Sequence, residues 1–378
     1  MRGPGAGRSR AGDGALSGGL SQLPAIYARW MDDLLRAPIE AETTATCHDC
    51  AMCAAADAPA DPDTHYFNPR VKCCTFLPHL RNFLVGRILL DPDPAMARGQ
   101  RSVEARIAAG SGVTPLGLGR SGTSPASDEG SGFGRDEALL CPHYVREGGG
   151  LCGIWPHREA TCATFFCKHD RGAVGAAFWQ ALRRLLEAVE QSLAWHCVEA
   201  LDVGRAAVSR LLDPSDSGTT LTTRSRQDLW GRWAGRERAF YEAAASLVST
   251  MSWEQVRERG GAEVRQRAER TRDAHARLRS TAVPAGPLRL RPMSVTPLGP
   301  RGVRLVTYSG DDPLIVPREL HDVLPRFEGF SMNDALARLR EEAGLEIDPA
   351  AVRRLIDFDV LAAAGESPDD GPEPATPA

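Results

Sequence analysis

The stretch TCHDCAMCAA, residues 46–55, crowds Cys47, Cys50 and Cys53 together with two residues between neighbours. Nine of the ten cysteines lie between positions 47 and 167: Cys47, Cys50, Cys53, Cys73, Cys74, Cys141, Cys152, Cys162 and Cys167. Such a cluster is a disulfide framework, an accident, or a set of ligands for one object. A chain of 378 residues buries an apolar core without covalent staples, so no disulfide is required for folding. Residues 1–20 are rich in Gly, Arg and Ser and lack an apolar signal-peptide segment, which predicts a disordered tail. No uncharged apolar run reaches the roughly 18–20 residues of a membrane span. The expectation is a cytoplasmic chain without a membrane partner. There thiols stay reduced, and a cysteine cluster points to metal or redox chemistry.

Spacing narrows the chemistry. Two residues between cysteines let one turn of backbone aim both thiolates at one centre. Overlapping two such units wraps three thiolates round it. Structural zinc is usually held by two separate CxxC pairs, whereas three consecutive thiolates with a remote fourth is the ferredoxin-like arrangement for a [4Fe–4S] cluster. Cys141, followed by Pro142, is the candidate fourth ligand. Cys73 or Cys74 with Cys152, Cys162 and Cys167 would supply a second site. The expected cofactor is therefore a [4Fe–4S] cluster, with Zn2+ as the alternative. Cys197 lies on the apolar face of a long helical segment and reads as a small buried hydrophobe. His48, His143, His157 and His169 adjoin cysteines and read as exposed or outer-sphere imidazoles, with His169 the first substitute ligand.

The segment LCGIWPHREATCATFFCK, 151–168, resembles the closing motif of the CxxCxxCC, or YkgJ-type, zinc- or iron-chelating proteins. Their pattern is roughly C-x-I-Y-x-x-R-P-x-x-C-R-x-F-x-C. Cys152, Ile154, Arg158, Cys162, Phe165 and Cys167 stand in register with it, and Trp155 takes the Tyr place. Cys47, Cys50, Cys53 and the pair Cys73-Cys74 match the opening motif, while Glu159 and Ala163 stand where the family has Pro and Arg. The resemblance covers residues 47–167 and implies metal binding by the nine cysteines without implying a reaction. One branch of the family resembles the flagellin lysine-N-methylases, a precedent for protein modification.

Pattern along the chain predicts an α+β, mainly helical protein. A cysteine-rich, irregular metal-binding domain spans 21–172, with a Gly/Ser-rich flexible insertion at 110–135. A helical segment spans 173–283, a small winged-helix-like module 284–363, and an acidic, Pro-rich tail 364–378. Helices are expected over 23–36, within 76–90, and from 173 to about 212. Two more are expected over 227–249 and 253–279, the last with Ser252 as N-cap and Gln255 as its capping-box partner. In the C-terminal module, 288–295 and 303–308 read as strands. Ser331 and Gly344 bound one helix, Pro349 opens another, and 358–361 closes as a strand.

Residues 287–363 resemble the PqqD-like winged-helix modules, which implies a peptide or protein partner held by strand addition or in a groove. The carrying residues are DPLIVPRELHDVLPRFEGFSMNDALARL and VRRLIDFDVL. Nucleic acid is not expected. Residues 317–363 hold six Arg against ten acidic residues, and the whole chain holds 45 basic against 49 acidic. The GLGRSG run at 117–122 matches GxGxxG but precedes no helix, so it carries no dinucleotide reading. Two functions remain in view. The first is a redox or peptide/protein-modifying metalloprotein, its catalytic residues unassigned. The second is a non-catalytic interaction protein folded around structural zinc.

Overall fold

The computed structural model describes residues 22–47, 50–53, 66–119, 132–147, 149–205, 208–209 and 223–365. The tails at 1–20 and 366–378, and His48, lie outside the described residues. The architecture is α+β and mainly helical, with small antiparallel sheets. Among the described residues no helix is long and apolar enough to cross a membrane.

Helix α1 (Ala25–Leu35) buries Ile26, Tyr27, Trp30, Met31 and Leu34 and stops at Arg36, which turns left-handed. A two-residue strand β1 (Leu80–Arg81) leads into α2 (Asn82–Leu90), and α3 (Ala97–Ala109) follows, closed by left-handed Gly110. The expected 76–90 helix therefore begins only at Asn82. Leu80 and Arg81 instead pair with β3 (Gly117–Leu118), which pairs in turn with β2 (Val113–Thr114). Residues 113–118 are thus ordered sheet with Leu116 and Leu118 buried, not part of a flexible insertion. Residues 120–131 lie outside the described residues. The hairpin β4 (Tyr144–Val145) with β5 (Leu151–Cys152) and the five-residue α4 (Ala160–Thr164) complete the cysteine-bearing part.

Helix α5 (Gly172–Ala200) carries the buried stripe Phe178, Leu182, Leu185, Leu186, Val189, Leu193 and Cys197. It ends at Ala200 and not near Leu212, because Asp202 turns left-handed at φ 60°. The expected 227–249 helix is two, α6 (Thr223–Trp230) and α7 (Glu237–Ser249), separated by left-handed Gly231 and Gly235. Helix α8 (Trp253–Arg279) opens on the Ser252–Gln255 capping box and kinks at Gly261. One apolar core runs from Leu23 through α1, α2, α4, α5 and α7 to Leu278, so it draws on both sides of position 172. A second gathers α2, α3, the β1–β3 sheet, the end of α5 and the Trp230–Phe240–Tyr241 aromatics.

The C-terminal part has its own core of Leu288, Leu305, Phe327, Leu339, Leu355 and Leu361 with their neighbours. Strands β6 (Leu288–Leu290), β7 (Ser294–Pro297), β8 (Val303–Val306) and β9 (Leu314–Val316) precede α9 (Arg318–Val323), α10 (Met332–Ala343), α11 (Pro349–Asp357) and β10 (Leu361–Ala363). The expected 288–295 strand is split: β6 pairs with β10, while β7 joins β8 and β9 in an antiparallel sheet of order β7-β8-β9. Helix α10 starts at Ser331 and ends at Gly344, and α11 starts on the Asp348 cap with Pro349 at its first position.

Candidate metal centre

Local backbone geometry gathers the cysteines. In the opening loop the Cys53 N–H donates to Cys50 O, and Phe67 N–H to Met52 O. A tight turn over 69–75 presents Cys73 and Cys74. Cys74 O then accepts the Cys141 N–H at 2.8 Å, and Cys141 O accepts from Tyr144. Tyr144 pairs with Cys152 across the β4–β5 hairpin. Glu159 caps the short helix α4 by accepting the backbone N–H groups of Thr161 and Cys162, each at 2.8 Å, which fixes Cys162. Glu159, where the resembling family has Pro, thus has a definite local role.

All nine cysteines are half-buried and none is in a disulfide, while Cys197 is fully buried among apolar side chains. The nine fall into two neighbouring groups. Cys47, Cys50, Cys53, Cys73, Cys74 and Cys167 lie around the opening loop. Burial pushes Cys53 and Cys167 each up to about 12, with Cys50 the neighbouring thiol that adds most. Burial raises Cys47, and Cys73 raises it further. Cys73 is raised by its contact with the Cys74 thiol and then by burial.

Cys141, Cys152 and Cys162 form the second group. Burial raises all three, Cys141 to about 12, and the neighbouring thiols add to it. Cys152 also feels Cys47 and Cys73, so the two groups adjoin. Cys141 feels Cys152, and its backbone N–H is held by Cys74 of the first group, so it adjoins both. Among the described residues, no three or more His, Cys, Asp or Glu side chains are arranged to hold a metal ion. The donor set itself is all thiol, the donor type a soft metal prefers, and a bound cation would favour the thiolate forms that burial and neighbouring thiols disfavour.

Lys72, Lys168, Arg158 and Arg106 adjoin these thiols, and the sequence analysis gave none of them a role at the site. The chain's only lysines, Lys72 and Lys168, each stand beside a cysteine, a signal open to a sequence reading. Lys72 is buried in a left-handed backbone conformation at φ 53°. Its ammonium donates to the carbonyls of Cys47, Gly149 and Gly150, strapping two loops together. Lys168 donates to Asp311 O at 2.7 Å. Arg158 is buried with its guanidinium 3.2 Å from the centre of the Trp155 ring. Trp155 and Phe165 are both exposed beside this region, and Phe165 meets Phe133 edge-on.

The histidines are engaged elsewhere, and the three that are described are not exposed. His143 meets Ser102 Oγ through Nδ1 at 2.7 Å and Arg106 through Nε2, and burial drives its pKa down to about 3. His157 bonds Asp91 at 2.6 Å. His169, the first substitute ligand by sequence, has its ring beside Tyr308 and Asp312, and burial lowers it to about 4. Comparison of the chain with protein-family models, with curated proteins and with solved structures finds no match.

Proposed function

We propose that this chain is a cytoplasmic thiolate-bound metalloprotein, most simply an iron–sulfur protein, carrying a winged-helix-like module that contacts a peptide or protein. What supports the reading is that cysteines from segments more than a hundred residues apart act on one another's charge, Cys152 with Cys47 and Cys167 with Cys50, with cations beside them. The first centre would draw on Cys47, Cys50, Cys53, Cys73, Cys74 and Cys167, and the second on Cys141, Cys152 and Cys162. A bound cluster supplies electron transfer or Lewis acidity. The chain's residues hold it, shield it with Trp155, Phe133 and Phe165, and offset its negative charge. Support for a contacting module is the open edge of β7, with Val295 exposed.

The test is anaerobic purification followed by iron, acid-labile sulfide and zinc analysis, repeated on Cys50→Ser and Cys152→Ser. Coloured protein with matched iron and sulfide, reduced in both variants, is the expected result. Colourless protein with stoichiometric zinc would replace the cluster by structural metal. Neither metal would refute metal binding altogether.

A further inference from the structure

The end of α1 and the last two turns of α8 line a cleft of about 490 Å³, within the range of small-molecule sites. Leu35, Ala37 and Ala276 give it an apolar wall. Arg272 and Arg279 stand two turns apart on one face of α8, with His275 between them and Ser280 at the end of the row. Among the described residues no carboxylate lines the cleft.

The polar groups here have bonding capacity in reserve. Arg257 and Arg267, earlier on α8, pair with Glu254 and Glu263. Arg272 and Arg279 make no ion pair or hydrogen bond among the described residues. Nor does the helix end need them. A helix C-terminus attracts cations through its unpaired carbonyls, but Arg171 takes the carbonyls of Leu278 and Ser280, and Arg353 those of Ser280 and Ala282. Those two guanidiniums also offset the negative end of α8, which by itself disfavours an anion. His275 is 4 % exposed and gives its Nε2–H to Pro38 O at 3.1 Å, so Nδ1 remains an acceptor without a partner among the described residues. Burial lowers the His275 pKa, and Arg279 adds to that against the opposing pull of the Pro38 carbonyl and Glu40. The Ser280 hydroxyl accepts the Ala282 N–H at 3.2 Å, which leaves its own proton to donate.

Two unopposed guanidiniums and a hydroxyl suit an acceptor group with more than one negative charge. A phosphate monoester carries about −1.5 to −2 at pH 7, and its singly protonated form has a P–OH to give to Nδ1 of His275. A carboxylate, with one charge and two oxygens, is matched by a single guanidinium fork. We infer that this cleft binds a small phosphate monoester, with Arg272, Arg279 and Ser280 on the phosphate and Leu35, Ala37 and Ala276 against the organic part. The site lies outside the cysteine region and does not depend on the proposed metal binding.

The test is calorimetric titration of the full chain with phenyl phosphate, inorganic phosphate and benzoate. Phenyl phosphate should bind at one site per chain, and more tightly than the other two, which lack either its apolar body or its charge. Arg272→Gln and Arg279→Gln should each weaken it roughly tenfold, the weight of one charge-assisted hydrogen bond. Arg257→Gln removes the same charge from the same helix outside the cleft and should leave the affinity unchanged. Arg272 and Arg279 are exposed, so both variants should melt with wild type. No saturable binding of phenyl phosphate at millimolar concentration overturns the inference. So does binding that both cleft variants leave unchanged, or that R257Q weakens equally. Benzoate or inorganic phosphate binding as tightly as phenyl phosphate overturns the choice of ligand. Should R279Q fail to fold, unchanged affinity in R272Q decides against the cleft. Metal content enters none of these outcomes, so they stand apart from the test of the proposed function.

Discussion

The backbone N–H of His169 donates to the Asp312 carboxylate at 2.9 Å, across 143 positions of sequence. Asp312 also accepts the Tyr308 hydroxyl, and the adjacent Asp311 carbonyl accepts Lys168. The loop between β8 and β9 is therefore fastened to the residues that follow Cys167. Replacing Asp312 by Ala leaves the His169 amide and the Tyr308 hydroxyl without their acceptor. The expected cost is about 1–3 kcal/mol in denaturant unfolding. Cys167 should also react faster with a thiol reagent. Asp312→Asn, which keeps one acceptor oxygen, should recover part of both effects, and equal rates in all three proteins would show the fastening to be ornamental.

Glu42 makes a second such fastening, accepting the Asp170 N–H and the Trp179 indole N–H. Burial raises its carboxyl to about 7. A carboxyl whose folded pKa lies above its unfolded value holds its proton more tightly in the folded state. Its contribution is full below about pH 4.5 and is lost as pH rises through about 7. Thermal melts should therefore show wild type losing stability over that window by up to about 3 kcal/mol relative to Glu42→Gln. Parallel pH profiles for the two proteins would remove Glu42 from the account.

The same contrast between local and distant causes separates what the sequence disclosed from what it did not. The capping box at Ser252 and Gln255, the Ser331–Gly344 helix and the Asp348–Pro349 start are legible because their signals lie within three or four residues. The start of α2 is not, because Leu80 and Arg81 are held by Gly117 and Leu118, nearly forty residues away. The break between α6 and α7 rests on Gly231 and Gly235, whose positive φ no apolar period reports. At the cysteines, spacing disclosed which side chains matter. It left open which of them share a centre, and the backbone bond that ties Cys141 to Cys74 is a long-range contact that spacing does not report. Arg158 is legible in the sequence only as a position of the resemblance; its burial and its two unsatisfied donors are visible only in the fold.

Helix α2 crosses α7 at Gly86 with almost no gap. A Cβ added there would stand 1.9 Å from the Tyr241 carbonyl oxygen and 2.8 Å from the Ala245 Cβ. The obstacle is backbone, so no rotamer change relieves it. Gly86→Ala should therefore lose about 3 kcal/mol or more, above the usual range for one extra methyl. Gly204→Ala, where no described residue lies within 4 Å, is the control and should stay near wild type in a thermal melt.

Lys72 predicts a different failure. Its ammonium is the common donor for three carbonyls in two loops. Lys72→Met keeps the aliphatic stem but strands those carbonyls, at an expected cost of about 2–3 kcal/mol. Lys72→Arg should rescue only partly, since a planar fork cannot converge on three carbonyls as an ammonium does. Modification rates of Cys47, read by mass spectrometry, should rise in K72M before global unfolding. Unchanged rates would mean that the strap does not hold the opening loop.

Proton release gives a direct count of the ligands. Burial holds Cys53, Cys141 and Cys167 at about 12, and it raises Cys47, Cys152 and Cys162 as well. In metal-free protein at pH 7.5 these thiols are protonated, and metal displaces one proton from each thiol that becomes a ligand. Apparent affinity should therefore rise with pH by about tenfold per unit for every thiol engaged. Calorimetry of zinc binding in buffers of different ionisation enthalpy should find about four protons released per four-thiolate centre. Cys162→Ser should lower that count, while Cys197→Ser should leave it unchanged. Binding without proton release would require oxygen or nitrogen ligands, and the half-buried thiols would then need another purpose.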